Sequence, residues 1–312
     1  SFGAQDFLNG LVVSLRGAGH ANALDSVLCP VLACLLLRDL AACLGRRAAW
    51  AILPACALLA VDPQDVNISA LYSGAVCLLG LLISLSAPDP AGPGGRNARL
   101  RSLASPALFL AVLAVLKNSL LSNMLLFLLL ALALALALPG QRTARLRQAA
   151  ALAGLAFLLA FPWLVYLASY QAAALAGGVA PAQAAALPLL FRGDLAQAAA
   201  NFLVLFTPRA SMYGSSYLTY SAYGLGILAA GVLDALSRNP AAPGQSWLRP
   251  AAALAVAATY FGYPWVMAHV VGLRYHMPLL LGLFPASLLL VQCRALPART
   301  GNPAPVAVLL AM

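Results

Sequence analysis

The chain has 312 residues, of which 63% are hydrophobic and only 8% charged, with a mean hydropathy of +0.90. A soluble domain carries about 25% charged residues, so this composition excludes a water-soluble fold, which would expose far too much apolar surface. The formal charge of +10 comes from 18 basic and 8 acidic residues, with no Glu and a single Lys, Lys117; the basic residues sit in short clusters between apolar runs, the pattern of membrane topology and not of a nucleic-acid surface.

The chain opens at Ser1 with no initiator Met, charged n-region or apolar h-region, and it ends inside an apolar run, Pro305 to Met312. That reads as a piece of a longer protein without a signal peptide, truncated at the N-terminus and open to truncation at the C-terminus. Residues 1–21 read as the remnant of an outer loop. A helix needs roughly 20 apolar residues to span a bilayer, fewer inside a bundle. On that basis 22–37, 48–61, 68–86, 104–116, 119–138, 149–170, 217–236, 251–271 and 277–293 are predicted spans. The expected fold is all-α: a polytopic transmembrane helical bundle of about nine spans, forming one domain over 1–312. Cys29, Cys34, Cys43, Cys56, Cys77 and Cys293 lie mostly inside these runs and form no CxxC pair, so neither a metal site nor a disulfide framework follows.

The loops separate by charge. Arg38, Arg46 and Arg47 fall in one, then Arg96, Arg99 and Arg101, Arg142, Arg145 and Arg147, Arg238 and Arg249, and Arg294 and Arg299; these 13 of the 18 basic residues are assigned to the cytoplasm. Arg16, Lys117, Arg192, Arg209 and Arg274 remain on the opposite face. The run 104–138, flanked by basic clusters at both ends, is too long for one span at about 1.5 Å per residue. It is predicted to be a tight helical pair turning at Lys117-Asn118-Ser119, because one long helix would bury an unpaired lysine. Asp6, Asp25, Asp62, Asp65 and Asp194 fall outside or near outer ends, and Asp39, Asp89 and Asp234 inside. The segments 89–95 and 239–246 read as cytoplasmic loops, and 171–216 as an outer interfacial loop that forms a partial lid.

Four constellations could carry chemistry. In Asp62-Pro63-Gln64-Asp65-Val66-Asn67, two carboxylates three apart suit a base and a ligand; the plainer reading makes Asp65 or Asn67 an N-cap for the helix that contains Tyr72. Lys117 suits a lipid phosphate, or snorkels to the headgroups. Arg192, Asp194 and Arg209 precede Tyr213, Tyr217 and Tyr220, a stripe suited to an interfacial belt or to stacking on a sugar. Tyr260, Tyr263, Trp265, His269, Arg274, Tyr275 and His276 meet at the outer face, where Arg274 calls for a distant Asp or an anionic ligand. The two histidines have no acidic partner nearby, so no metal ligands are assigned. No Ser-His-Asp order, glycine-rich phosphate loop or deaminase signature is present.

In this order the constellations resemble the multi-span glycosyltransferases of the GT-C class, particularly bacterial members that use polyprenyl-phosphate-linked sugars. Asp62-Pro63 to Tyr72 resembles the short outer loop and aromatic helix start of that class, Leu116-Lys117-Asn118-Ser119 its later helix pair, and Arg274-Tyr275-His276-Met277-Pro278 the start of a late span. The likeness covers most of 20–293. Two departures stand out: Ser73-Gly74 replaces an acidic residue after the Tyr, and Asn118 replaces an aromatic after Lys117. The class carries its catalytic Asp in the first outer loop, which leaves that role to a residue upstream of Ser1 or, on weaker grounds, to Asp62 and Asp65.

The resemblance implies transfer of a sugar from a lipid-phosphate donor to a glycan, lipid or protein acceptor at the periplasmic face of the bacterial inner membrane. Lys117, Arg209 and Arg274 would bind the donor phosphate, and Tyr72, Tyr213, Tyr217, Tyr220, Tyr275 and His276 the substrate. No cofactor is demanded, a divalent cation is left open, and the expected partners are the lipid bilayer and a polyprenyl-phosphate-linked sugar, with no nucleic acid. A lipid-linked glycan polymerase or ligase, or a multi-span transporter or flippase without chemistry, stands as the alternative.

Overall fold

The computed structural model of the chain describes residues 10–15, 24–60, 72–86, 96–116, 118–138, 140–177, 196, 247–248, 250–252, 254–255, 258 and 277–295. Among the described residues the fold is all-α, with no strand. A π-helical turn, Leu24–Leu28, runs into α1, Cys29–Cys43. A short 3-10 turn, Ala48–Ala51, precedes α2, Ile52–Ala60. Then come α3, Tyr72–Ser86, α4, Arg96–Leu116, α5, Asn118–Ala137, α6, Arg142–Ala176, and α7, Met277–Ala295. Seven of the nine predicted spans coincide with these helices; 217–236 and most of 251–271 lie outside the described residues. The helix α6 continues through Ala176, six residues into the segment read from sequence as an outer loop.

Local chemistry sets the helix ends. Pro30 sits in the first turn of α1, where its missing N–H is no loss. The helix closes at Gly45, whose φ of +70° only glycine adopts without strain, while Leu44, Gly45 and Arg46 donate their N–H groups back to the carbonyls of Leu40, Ala41 and Ala42. Gly140, at φ +69°, reverses the chain between α5 and α6 in the same way.

Contacts at the ends fix the directions of the helices. The carboxylate of Asp25, before α1, meets the first residues of α3, so α1 and α3 run parallel. Arg46, after α1, donates to the carbonyl oxygen of Cys293 in the last turn of α7, so α7 also runs with α1. The connection 87–95 joins α3 to α4, which packs beside it as an antiparallel neighbour. Only one residue separates α4 from α5, yet the two helices pack against each other, which requires the chain to fold back between them. The helical pair predicted over 104–138 is therefore present; Lys117 itself lies outside the described residues.

Two of the helices are interior. No described side chain of α3 or α7 is exposed, and small residues allow their close approach. A Cβ on Gly282 of α7 would lie 3.1 Å from the carbonyl oxygen of Ala75 in α3, and one on Gly80 of α3 would run into the Phe109 ring of α4. The outer helices turn some of their large apolar side chains outward. On α6, Ala149, Leu152, Ala156 and Ala160 are buried whereas Phe157, Leu158, Phe161 and Val165 are exposed; on α1, Ala33, Leu37, Leu40 and Ala41 are buried whereas Val31 and Leu35 are exposed. Large apolar side chains turned outward with alanine turned inward suit helices that approach closely inside lipid.

Among the described residues two helical segments are, by length and composition, long and apolar enough to cross a membrane, Leu24–Cys43 and Arg142–Tyr170. Shorter apolar helices are Ala48–Leu59, Tyr72–Ser86, Ser102–Leu116, Asn123–Ala137 and Leu281–Cys293.

Candidate functional site

The two ends of this bundle differ in chemistry. At one end Asp25, only 3% exposed, places its carboxylate at the start of α3. Its Oδ1 accepts the Ser73 N–H at 2.8 Å and the Ser73 hydroxyl at 2.8 Å, and its Oδ2 accepts the Tyr72 N–H at 3.2 Å. A helix begins with N–H groups that have no partner inside it and with a partial positive charge from its aligned peptide dipoles. A carboxylate satisfies both, and the same bonds offset the cost of burying it. The plainer sequence reading gave this task to Asp65 or Asn67. The amides of Tyr72 and Ser73 are held from 47 and 48 residues away, by a group in the first apolar run; Asp65 and Asn67 lie outside the described residues. The sequence carried half of the signal, since an Asp inside an apolar run needs a partner; it could not name that partner.

The other end gathers guanidinium groups. Arg46 lies over the Trp50 ring, 4.6 Å from its centroid, while it holds the Cys293 carbonyl. Arg145, largely buried, donates through Nη1 to the carbonyls of Leu138 at 3.1 Å and Gly140 at 3.0 Å, closing the C-terminus of α5. Trp247 donates its indole N–H to Gln148 Oε1 at 2.8 Å, which ties the segment before 250–252 to the start of α6. On the surface, Arg38 and the adjacent Asp39 form an ion pair at 2.8 Å.

Of the residues singled out for chemistry, only Tyr72 is described, and it is buried in the hydrophobic core beside Asp25. Asp62, Asp65, Lys117, Arg192, Arg209, Tyr213, Tyr217, Tyr220, Arg274, Tyr275 and His276 lie outside the described residues. The helices fix where several of the connections attach. The chain leaves α2 for Asp62 and Asp65 and enters α3 beside Asp25; it passes from α4 to α5 through position 117 and enters α7 from 276, all at the Asp25 end. Among the described residues no three His, Cys or Asp side chains group as they would around a metal ion.

Two polar side chains in the interior make no hydrogen bond: Asn123 on α5, through both amide atoms, and Gln292 on α7, through Oε1. Compared with known proteins, the chain matches no family model, no curated protein and no solved structure.

Proposed function

We propose that the chain is a multi-span membrane glycosyltransferase of the GT-C type, crossing the bilayer about nine times, with its arginine-rich end in the cytoplasm and its active end at the periplasmic face. One observation carries the reading: the connections that bear Asp62, Asp65, Lys117 and Arg274 attach at a single end of the bundle, opposite the ends where Arg46 and Arg145 are held. In this reading, segments far apart in sequence share one membrane surface, which would put acids and cations within reach of one substrate. The outward-facing Phe157, Leu158, Phe161 and Val165 of α6 support the bilayer as their surroundings.

In this reading the acceptor hydroxyl attacks the anomeric carbon of the lipid-linked sugar. The new bond joins that carbon to the acceptor oxygen, and the bond from the carbon to the phosphate oxygen breaks. Asp62 or Asp65 takes the hydroxyl proton, and the lipid phosphate departs with the bonding electron pair. Lys117, Arg209 and Arg274 stabilise the negative charge that grows on it.

Membranes containing the full chain and a radiolabelled polyprenyl-phosphate-linked sugar test this reading. The expected result is label in a membrane acceptor together with free polyprenyl phosphate, and a fall of about 100-fold in rate for Lys117→Ala or Arg274→Ala. Movement of the intact donor between leaflets without bond cleavage would replace the proposal with transport.

A further inference from the structure

We infer that Asp25 is a positioning residue for the periplasmic-end site, setting the place of the first turn of α3 through the N–H groups of Tyr72 and Ser73, and that it is not the base of the transfer. The inference rests on the proposed glycosyltransferase reading for its functional half, whereas its structural half stands on the hydrogen bonds alone.

Asp25 is the described acid at the end where the candidate residues attach, so a catalytic role has to be considered first. Its surroundings oppose that role. A base needs room for the acceptor hydroxyl within about 3 Å of a carboxylate oxygen, and Asp25 is 3% exposed with three donors from Tyr72 and Ser73 already on its two oxygens. Taking up a proton would weaken the bonds that hold the start of α3.

Those bonds have a consequence for the substrate. The leading end of a helix is a natural seat for a phosphate, because free N–H groups and the helix dipole both point there. At α3 that seat is filled from within by a carboxylate, so this helix end is closed to a donor phosphate. A second consequence concerns the connection 61–71, which bears Asp62 and Asp65 and ends at the residue that Asp25 holds. The height of that attachment in the bundle is set by a bond to the turn before α1. This turn is π-helical over Leu24–Leu28, and single π-turns recur at functional sites.

Hydrogen exchange and transfer assays on the full chain in nanodiscs test the inference together. In Asp25→Ala the amides of 72–76 should exchange about tenfold faster while those of α5 stay unchanged. Asp25→Asn, which keeps a carbonyl acceptor, should recover part of this protection, and Ser73→Ala should lose less than Asp25→Ala. Asp25→Asn should also retain transfer, reduced by about tenfold or less, with the pH profile of the unaltered chain. Loss of transfer in Asp25→Asn with full amide protection would make Asp25 the base and overturn the inference. Unchanged protection at 72–73 in Asp25→Ala, or faster exchange spread evenly over α3, α5 and α6, would overturn it as well. If the unaltered chain transfers no sugar, the functional half falls with the glycosyltransferase reading, and the exchange result still decides whether Asp25 holds α3.

Discussion

Asp25, Arg46 and Arg145 each close a helix end to which they do not belong by sequence, and each carries the sign that the end demands. The carboxylate meets the N-terminus of α3, and the guanidinium groups meet the last carbonyls of α7 and α5. Two arginines of the basic clusters that the sequence reading places in the cytoplasm thus serve as C-caps. Arg46→Ala should therefore loosen the end of α7 and cost about 1 kcal/mol, a partly exposed charged hydrogen bond being worth less than a buried one. Arg46→Lys should recover little of it, because lysine lacks the planar group that stacks on Trp50 while donating to Cys293. Thermal unfolding in detergent compares the two. Asn123 predicts the opposite sign: its buried amide makes no hydrogen bond, so Asn123→Leu should stabilise the fold by about 1 kcal/mol. A lowered melting temperature for that variant would mean that the amide is satisfied in the membrane, by a water or a ligand.

Between elements, what matters is how closely two backbones approach. Gly80 of α3 faces the ring of Phe109 on α4, and a Cβ there would collide with the ring face. Gly80→Ala should cost about 1–3 kcal/mol through forced repacking, and adding Phe109→Leu should return part of that loss. Gly154 on α6 is the control: a Cβ there meets nothing within 4 Å, so Gly154→Ala should be neutral or stabilising by about 0.5–1 kcal/mol through helix propensity alone. Both variants add one methyl group to a helical glycine, and only neighbouring packing separates their outcomes. The apolar pattern of α3 and α6 carries no such distinction. Both helices are apolar on most faces, yet one is enclosed by α1, α4 and α7 whereas the other turns Phe157 and Phe161 outward.

For the molecule as a whole, the test is sidedness. With the six native cysteines replaced, Asn118→Cys and Arg147→Cys should react with a membrane-impermeant maleimide from opposite sides, because α5 begins at one end and α6 at the other. Labelling of both from one side would dissolve the common surface on which the proposed transfer depends. Arg147 suits the experiment better than Arg145, which is buried as a cap.

Composition determined that the chain is apolar, and run lengths with arginine positions marked seven helices that the described residues contain. Those features are local, because a helix follows from its own backbone bonds and propensities. The division of 104–138 into α4 and α5 was legible for the same reason, since a run of 35 residues between two basic clusters is too long for one span. Only the tertiary structure decided which helices are interior, that Arg46 closes α7, and that Asp25 accepts from the first amides of α3. These choices depend on which surfaces meet, and nothing local in the sequence links Tyr72 to a carboxylate 47 residues away.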